Sequence, residues 1–164
     1  MYPIMMDILP EDPLTSSQNS CFSVASLILS SLSIPSSNSP CNSHGSWPIV
    51  NSANIACGYH AGDEETMNQV VSISKKNGVS IGAHPSFNDP ENFGRKMINL
   101  SPSEINRLII DQYEILQKIA QNYNENVTHI KPHGALNNMA CENFELANTI
   151  AKAINSIDKN IIFL

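Results

Sequence analysis

The sequence predicts an α/β fold with a parallel sheet, in the form of an incomplete β/α barrel. From residue 48 onward, short β-branched apolar runs alternate with longer stretches whose apolar residues recur every three or four positions. The order of these patterns is β-α-β-α-β-α-β, which implies parallel strands joined by right-handed crossovers. The chain ends as the fourth strand begins, so we expect these elements to be part of a larger barrel.

The first 47 residues have a different character from the rest. They contain thirteen serines and show no sustained period of a helix or a strand. The run SIPSSNSPCNSHGS has the composition of turns and linkers. We expect residues 1–47 to be a Ser-rich low-complexity segment outside the core, with at most one short element at Cys21–Ile34. Residues 48–164 are expected to form the partial barrel, and His44 is assigned no function.

The first strand and helix follow directly after this segment. PIVNSANIA, which begins at Pro48, is a β-branched apolar run typical of a buried strand. Asp63 is the predicted N-cap of the next helix, because Glu64 and Glu65 would then lie in its first turn, where negative charge favours the helix dipole. The KKNG run predicts the helix end. The predicted buried face consists of Met67, Val70, Val71 and Ser74.

The later elements are predicted in the same way. VSIGA is the second strand, and the residues from Ser101 to Glu104 form a capping box with Pro102 at the first helical position. VTHIK is the third strand, followed by a tight polar turn, a third helix over residues 143–157 and the strand NIIFL. The second helix carries an apolar stripe suited to packing on a sheet, formed by Ile105, Leu108, Ile109, Tyr113, Leu116, Ile119 and Ala120.

Composition argues against several classes of protein. The net charge is −6, whereas a nucleic-acid-binding protein usually carries a basic surface. The four cysteines show no CxxC pair and no metal-finger spacing, which predicts reduced thiols in a cytoplasmic protein, with Cys57 as a small buried hydrophobe. CFSVASLILSSLSI lacks a basic flank and is shorter than the ~20 apolar residues that span a bilayer. We therefore expect neither a nucleic-acid nor a membrane partner.

Histidines follow each of the first three predicted strands. His60 comes just after the first strand, His84 directly after the second, and Lys131 and His133 at the exit of the third. The carboxyl ends of parallel strands share one edge of the sheet, where loops carry function on a rigid scaffold. We therefore expect these side chains to meet in one pocket. His129 shares the strand face of Lys131 but lies deeper, which predicts a core or supporting position.

Two chemistries fit such a pocket. The candidate metal ligands His60, His84 and His133 could bind a divalent ion that activates water. The same imidazoles could instead act as general acid and base beside a lysine that stabilises a developing oxyanion or phosphate. No HExxH or P-loop motif decides between them. Asp63 is either only a helix cap or a group that orients a histidine or binds a metal, and Arg95 either binds an anionic substrate or is solvated.

Four stretches resemble the LamB/YcsF family: PIVNSANIACGYHAGDEETM, GVSIGAHPSFNDPENFGRK, LSPSEI and HIKPHGALNN. The resemblance runs from Pro48 to Leu164 and implies a barrel related to the glycoside hydrolase/deacetylase superfamily. It also implies cleavage of the lactam 5-oxo-L-proline to L-glutamate with ATP hydrolysis, by an A subunit that works with B and C subunits. The matching positions imply catalytic roles for His60, Asp63, His84, Lys131 and His133, and substrate contacts from Asn54, Arg95 and Asn138.

The sequence departs from the family pattern in three places. The acidic first-strand motif is not recognisable, and residues 1–47 stand in its place. Roughly the last third of the family's barrel has no counterpart before Leu164. Asn137 and Lys96 stand where an aromatic residue and an arginine are usual. We therefore expect a truncated relative that keeps one side of the site and has little or no activity alone.

Two other functions stay open at this point. One is a metal-dependent, deacetylase-like hydrolase acting on a carbohydrate or an amide, which the barrel relationship and the histidines suggest. The other is a non-catalytic binding subunit. An open parallel edge is a template for pairing with another chain, so a homo-oligomer is a further expectation.

Overall fold

The computed structural model describes residues 51–164. One four-stranded sheet has the order β1-β2-β3-β4, with every neighbouring pair parallel. Its strands are β1 (Ser52–Ala56), β2 (Ser80–His84), β3 (Val127–Ile130) and β4 (Ile162–Phe163). The helices are α1 (Glu64–Asn77), α2 (Pro102–Asn122), α3 (Gly134–Glu142) and α4 (Phe144–Ile157). The predicted parallel α/β fold is confirmed, while the predicted boundary at residue 48, the element at Cys21–Ile34 and His44 lie outside the described residues.

The two long helices begin at the predicted caps. The Asp63 carboxylate accepts a hydrogen bond from the Thr66 N–H at 2.7 Å. Ser101 and Glu104 form the reciprocal capping box, with the Ser101 N–H donating to Glu104 Oε2 at 2.7 Å. Gly78 ends α1 in the left-handed conformation, with φ of 66°. Because these interactions are local, the sequence alone is enough to place them.

The core lies between the sheet and the helices, and α1 buries the four predicted residues. In α2 the predicted stripe is buried except for Tyr113, which is only half-buried, and Gln112 takes a fully buried position beside it. Within residues 51–164, no helix is long and apolar enough to cross a membrane. The buried strand residues on the helix side of the sheet are Ala53, Ile55, Ile81, Ala83, Val127 and Ile130.

The prediction of a turn after β3 was wrong, because a helix begins there. Helix α3 starts directly after His133 and buries Ala135 and Leu136. Asn143 then ends α3, and its side chain accepts two backbone N–H groups of α4. The proline, glycine and paired asparagines suggested a turn, but burial of the apolar residues outweighs their low helix propensity. The order is therefore β-α-β-α-β-α-α-β.

The strand register determines which residues share a face. Asn54 pairs with Gly82, and Gly82 pairs with His129, while an irregularity between Ile81 and Gly82 shifts the register toward β3. Paired residues of neighbouring strands point to the same side of a sheet. Asn54, Gly82 and His129 therefore form one row on the face opposite the helices, and His84 ends β2 at the carboxyl edge.

Candidate functional site

The rings of His60, His84 and His133 lie together at the carboxyl edge of the sheet. The His60 and His133 rings stack with centroids 4.2 Å apart and planes at 13°. The His84 ring meets His133 edge-on at 4.7 Å and lies 5.9 Å from His60. Each ring comes from a different strand exit, which is the arrangement that parallel topology favours. We call these three side chains the histidine cluster.

Backbone hydrogen bonds between the strand exits hold the cluster in place. The His133 N–H donates to Pro85 O at 2.8 Å, and the Lys131 N–H donates to Ala83 O at 2.9 Å. These bonds continue the β2–β3 pairing past the strand ends and set His133 beside His84. His60 is only 2% exposed.

Two hydrogen bonds to carbonyl groups determine where protons lie on His84 and His133. His133 Nε2 is 2.9 Å from Phe93 O, and His84 Nδ1 is 2.5 Å from Lys131 O. A carbonyl oxygen only accepts, so both of these nitrogens carry a hydrogen. The remaining contact, between His133 Nδ1 and His84 Nε2 at 2.9 Å, needs one further proton to become a hydrogen bond.

It follows that the two rings share one proton when all three bonds are made. Two neutral imidazoles carry only two ring hydrogens in total, so the third bond forms only when the pair is protonated and carries one positive charge. Burial lowers the pKa of His133, and the nearby charges of Arg95 and Lys131 lower it further, against the opposing effect of the Phe93 carbonyl. These effects make the extra proton of the pair easy to lose.

Phe93 and Gly94 are part of the site, although the sequence reasoning did not select them. The Phe93 ring lies edge-on to His60 and His133, with centroids 5.3 and 5.1 Å away. Both residues have a positive φ, 55° for Phe93 and 67° for Gly94. A Cβ on Gly94 would lie 2.1 Å from Ser86 Oγ and 3.0 Å from His60 Cβ. In the sequence, the glycine that follows an aromatic residue in NFGRK was the feature that could have indicated this tight loop.

The loop that carries Phe93 is tied to the rest of the site by hydrogen bonds. Asp89 accepts from Asn92 Nδ2 at 2.7 Å and from the Lys96 N–H at 3.2 Å, and its carbonyl accepts from the Gly94 N–H at 2.8 Å. The Gly94 carbonyl accepts from the Ala135 N–H at 3.0 Å. The loop is thus fixed to the first turn of α3, directly beside His133.

Two cationic residues, Lys131 and Arg95, lie near His133. Lys131 is half-buried, and its carbonyl receives the His84 hydrogen bond. Arg95 is exposed, with its guanidinium 5.8 Å from the centroid of the Phe93 ring. Both are close enough to lower the pKa of His133. Positive charge therefore lies beside His133, where it favours an anionic group.

The other candidate site residues are Asp63, Asn138 and Asn54. Asp63 caps α1, and the hydrogen bonds from Thr66 lower the pKa of its carboxyl. Asn138 is exposed on α3, and no hydrogen bond joins it to the cluster within the described residues. Asn54 lies below the cluster, in the row with Gly82 and His129. The substrate-binding and catalytic roles of all three stay predictions.

The donor atoms of the cluster do not fit a shared metal ion. Both ring nitrogens of His133 already have partners, Phe93 O and His84 Nε2. A gap of 2.9 Å is too short for an ion between two imidazoles, because each Zn–N bond alone is about 2.0–2.1 Å. Across residues 51–164, no group of three or more His, Cys, Asp or Glu side chains is arranged to hold a metal.

The two cysteines in the described part of the chain, Cys57 and Cys141, are both free thiols. Cys57 is fully buried beside the site, and burial raises its pKa to about 12. Its thiol therefore stays protonated and unreactive at neutral pH. The prediction that Cys57 is a small buried hydrophobe is confirmed.

The chain is similar to proteins of one family. The family model described as LamB/YcsF family matches residues 41–164. A 5-oxoprolinase A subunit from Staphylococcus epidermidis is 48% identical over 117 residues, which cover 71% of this chain and 46% of that protein. One from Staphylococcus carnosus is 43% identical over 121 residues, covering 74% and 48%. The chain thus spans about half the length of these relatives.

A solved structure is similar to this chain in fold. The crystal structure of a lactam utilization protein from Thermus thermophilus aligns with a TM-score of 0.65 at 39% sequence identity. The alignment covers 66% of this chain and 44% of that one. It supports the parallel α/β architecture described above.

Proposed function

The chain belongs to the LamB/YcsF family, and from this premise we propose that it acts as the A subunit of an ATP-dependent 5-oxoprolinase. The reaction would open the lactam ring of 5-oxo-L-proline to give L-glutamate. The observation that carries the proposal is the 2.9 Å contact between His133 Nδ1 and His84 Nε2, beside the charges of Lys131 and Arg95. Ring opening of a lactam needs a proton for the departing nitrogen and positive charge near the carbonyl oxygen, and we infer that the His84–His133 pair, with Lys131 and Arg95, would supply them.

Each side chain has a role that follows from its place. After ATP phosphorylates the carbonyl oxygen, water would add to that carbon, and the His84–His133 pair would take a proton from this water and give it to the ring nitrogen as the C–N bond breaks. A second water would then hydrolyse the resulting acyl phosphate to the glutamate carboxylate and inorganic phosphate. Lys131 and Arg95 would stabilise negative charge on the substrate. An unactivated lactam is a poor electrophile, and phosphorylation of its carbonyl oxygen by ATP would make it reactive. This accounts for the use of ATP in the proposed reaction.

The proposal includes partners and a location. ATP would be the co-substrate within a complex that also contains B and C subunits, and the complex would work in the cytoplasm. The support for a complex is that the relatives from both staphylococci are named as one subunit of an enzyme. No step of the proposed reaction passes through a metal, because the donor arrangement does not fit one.

Binding of the substrate by this chain tests the proposal directly. The chain, labelled with ¹⁵N-histidine and mixed with B and C subunits, would be titrated with 5-oxo-L-proline. We expect the ring signals of His84 and His133 to shift in proportion to occupancy. L-proline is the matched control ligand, because it has the same ring and carboxylate without the lactam carbonyl, and it should cause little shift.

Two results would count against the function. Equal shifts with L-proline would mean that the site does not select the lactam. The absence of any shift at saturating 5-oxo-L-proline would mean that the cluster is not its binding site.

A further inference from the structure

Two buried polar atoms lie below the histidine cluster without an explanation. Asn54 Oδ1 and His129 Nε2 have no hydrogen-bond partner within the part of the chain that the structure describes. His129 is only 4% exposed. Buried polar atoms nearly always have a partner in native proteins, and an ordered water is a common one.

The hydrogen bonds of Thr128 fix the chemical character of the His129 ring. Thr128 Oγ1 donates its one hydrogen to Ile81 O at 3.1 Å. The same oxygen lies 2.9 Å from His129 Nδ1 and must accept there, so Nδ1 carries the ring hydrogen. Burial lowers the pKa of His129 and keeps the ring neutral. His129 Nε2 is therefore a bare lone pair, an acceptor like Asn54 Oδ1.

Gly82 leaves room for the His129 ring to lie over β2, toward Asn54. It lies between Asn54 and His129 in the row across the sheet. A Cβ on Gly82 would lie only 2.0 Å from His129 Nε2, so the imidazole edge sits directly over this glycine. Neighbouring strands are about 4.8 Å apart, which puts the His129 lone pair within about one strand spacing of the Asn54 side chain.

Two acceptors cannot satisfy each other, but one molecule with two donors can satisfy both. A water molecule has two O–H groups, each able to make a hydrogen bond of about 2.8 Å, and together these span the estimated separation. We propose that Asn54 Oδ1 and His129 Nε2 bind a water molecule between them, beside Gly82. Gly82 lies two residues before His84 on the same strand face, so the water lies about 7 Å below the histidine cluster.

This site lies apart from the reaction proposed above, and its water binding does not rest on that function. Only a further role, in which this water supplies the oxygen that lactam hydrolysis consumes, would depend on it. His129 is thus a positioning residue for a water, held in the accepting tautomer by Thr128.

The test is the ¹⁵N spectrum of the histidine rings in the full chain. In the wild-type chain we expect a protonated His129 Nδ1 and an Nε2 signal at the frequency of a nitrogen that accepts a hydrogen bond. Asn54→Ala removes one of the two acceptors and should move Nε2 toward the frequency of an unbonded lone pair. Gly82→Ala puts a methyl group where the His129 ring lies, so it should displace the ring from the water and move the Nε2 signal as well.

Ser80→Ala is the matched control, because Ser80 lies two residues before Gly82 on the same face of β2 and is exposed. It should leave the His129 signals unchanged. A protonated Nε2 in the wild-type chain, or a signal that Asn54→Ala does not move, would overturn the proposal. If Gly82→Ala fails to fold, Asn54→Ala alone decides. A crystal structure that resolves ordered solvent should show density bonded to both atoms, and empty space there would also overturn it.

Discussion

His60 shows most clearly how one residue links the site to the stability of the fold. Burial, and then the neighbouring His133 and His84, lower its pKa from 6.5 to about 3. Between these two values the unfolded chain binds a proton on this residue that the folded chain does not bind. The contribution of His60 to the free energy of unfolding is therefore present at higher pH and is lost as the pH falls from 6.5 toward about 3.

The first prediction is a pH-dependent free energy of unfolding. As the pH falls below 6.5, His60 alone should lower this free energy by up to about 1.4 kcal/mol per pH unit. His129 and His133, whose pKa values are also lowered, act in the same direction. Urea unfolding at several pH values above the carboxylate range would measure the slope.

The control for this prediction is His60→Gln, which removes the titrating group. The variant should be less stable near neutral pH, because packing against His133 is lost, but its pH slope should be shallower. A slope identical to that of the wild-type chain would show that another group is responsible.

The second prediction concerns Gly94, where a side chain has no room. Gly94→Ala forces a methyl group toward Ser86 and His60 at a φ of 67°. Strain at positive φ costs about 1–2 kcal/mol, and crowding adds about 1–3 kcal/mol. Gly78→Ala is the matched control, since its φ of 66° is equal but nothing lies within 4 Å of the added Cβ. Urea unfolding of both variants measures the difference.

The ring signals of the cluster provide a second readout for this pair. Gly94→Ala should shift the signals of His60 and His133, which Gly78→Ala should leave unchanged. Equal losses of stability in the two variants, with unshifted ring signals, would show that the loop adapts to the methyl group.

At the scale of the element, the sequence was informative where a helix carries its own local signals. The caps at Asp63 and Ser101 follow from side-chain chemistry within three residues. Helix α3 has no such start, because His133 makes no side-chain cap there, and its stability comes from burying Leu136. The sequence pattern of a polar stretch does not reveal that tertiary contact, so the sequence did not predict this helix.

The third prediction concerns Gln112, the polar residue on the apolar face of α2. Its side chain accepts from the Ser86 N–H at 3.0 Å and donates to Ser86 O at 2.8 Å. Gln112→Ala would leave both buried backbone groups unpaired, at a cost of about 1–3 kcal/mol each. We expect a clear loss in the free energy of unfolding, together with shifts in the loop that follows β2.

Gln121→Ala on the same helix is the control, because Gln121 is exposed. A surface change of this kind should alter stability by no more than about 0.5 kcal/mol. Similar effects of the two substitutions would mean that the Gln112 hydrogen bonds contribute little.

At the scale of the whole molecule, topology explains both the success and the limit of sequence reasoning. Parallel strands place the residues after each strand on one edge, so His60, His84 and His133 could be expected to meet. The proton-sharing contact could not be predicted, since it depends on the Phe93 carbonyl. That carbonyl reaches His133 through a loop with positive φ at two successive residues and no periodic pattern.

The final prediction is that the described residues can replace the matching region of a relative. In a chimera, residues 51–164 of this chain would replace the matching region of the Staphylococcus epidermidis 5-oxoprolinase A subunit. We expect this chimera to release glutamate from 5-oxo-L-proline when ATP and the B and C subunits are present. The reason is that 48% identity extends over 117 residues and that the histidine cluster lies wholly within the transplanted region.

His133→Ala in the chimera would break the contacts to both Phe93 and His84, and should lower kcat by about 10²–10⁴-fold. Arg107→Ala, at an exposed position of α2, is the control and should leave turnover near that of the chimera. A folded chimera that His133→Ala leaves fully active would show that proton transfer in this family does not use the His84–His133 pair.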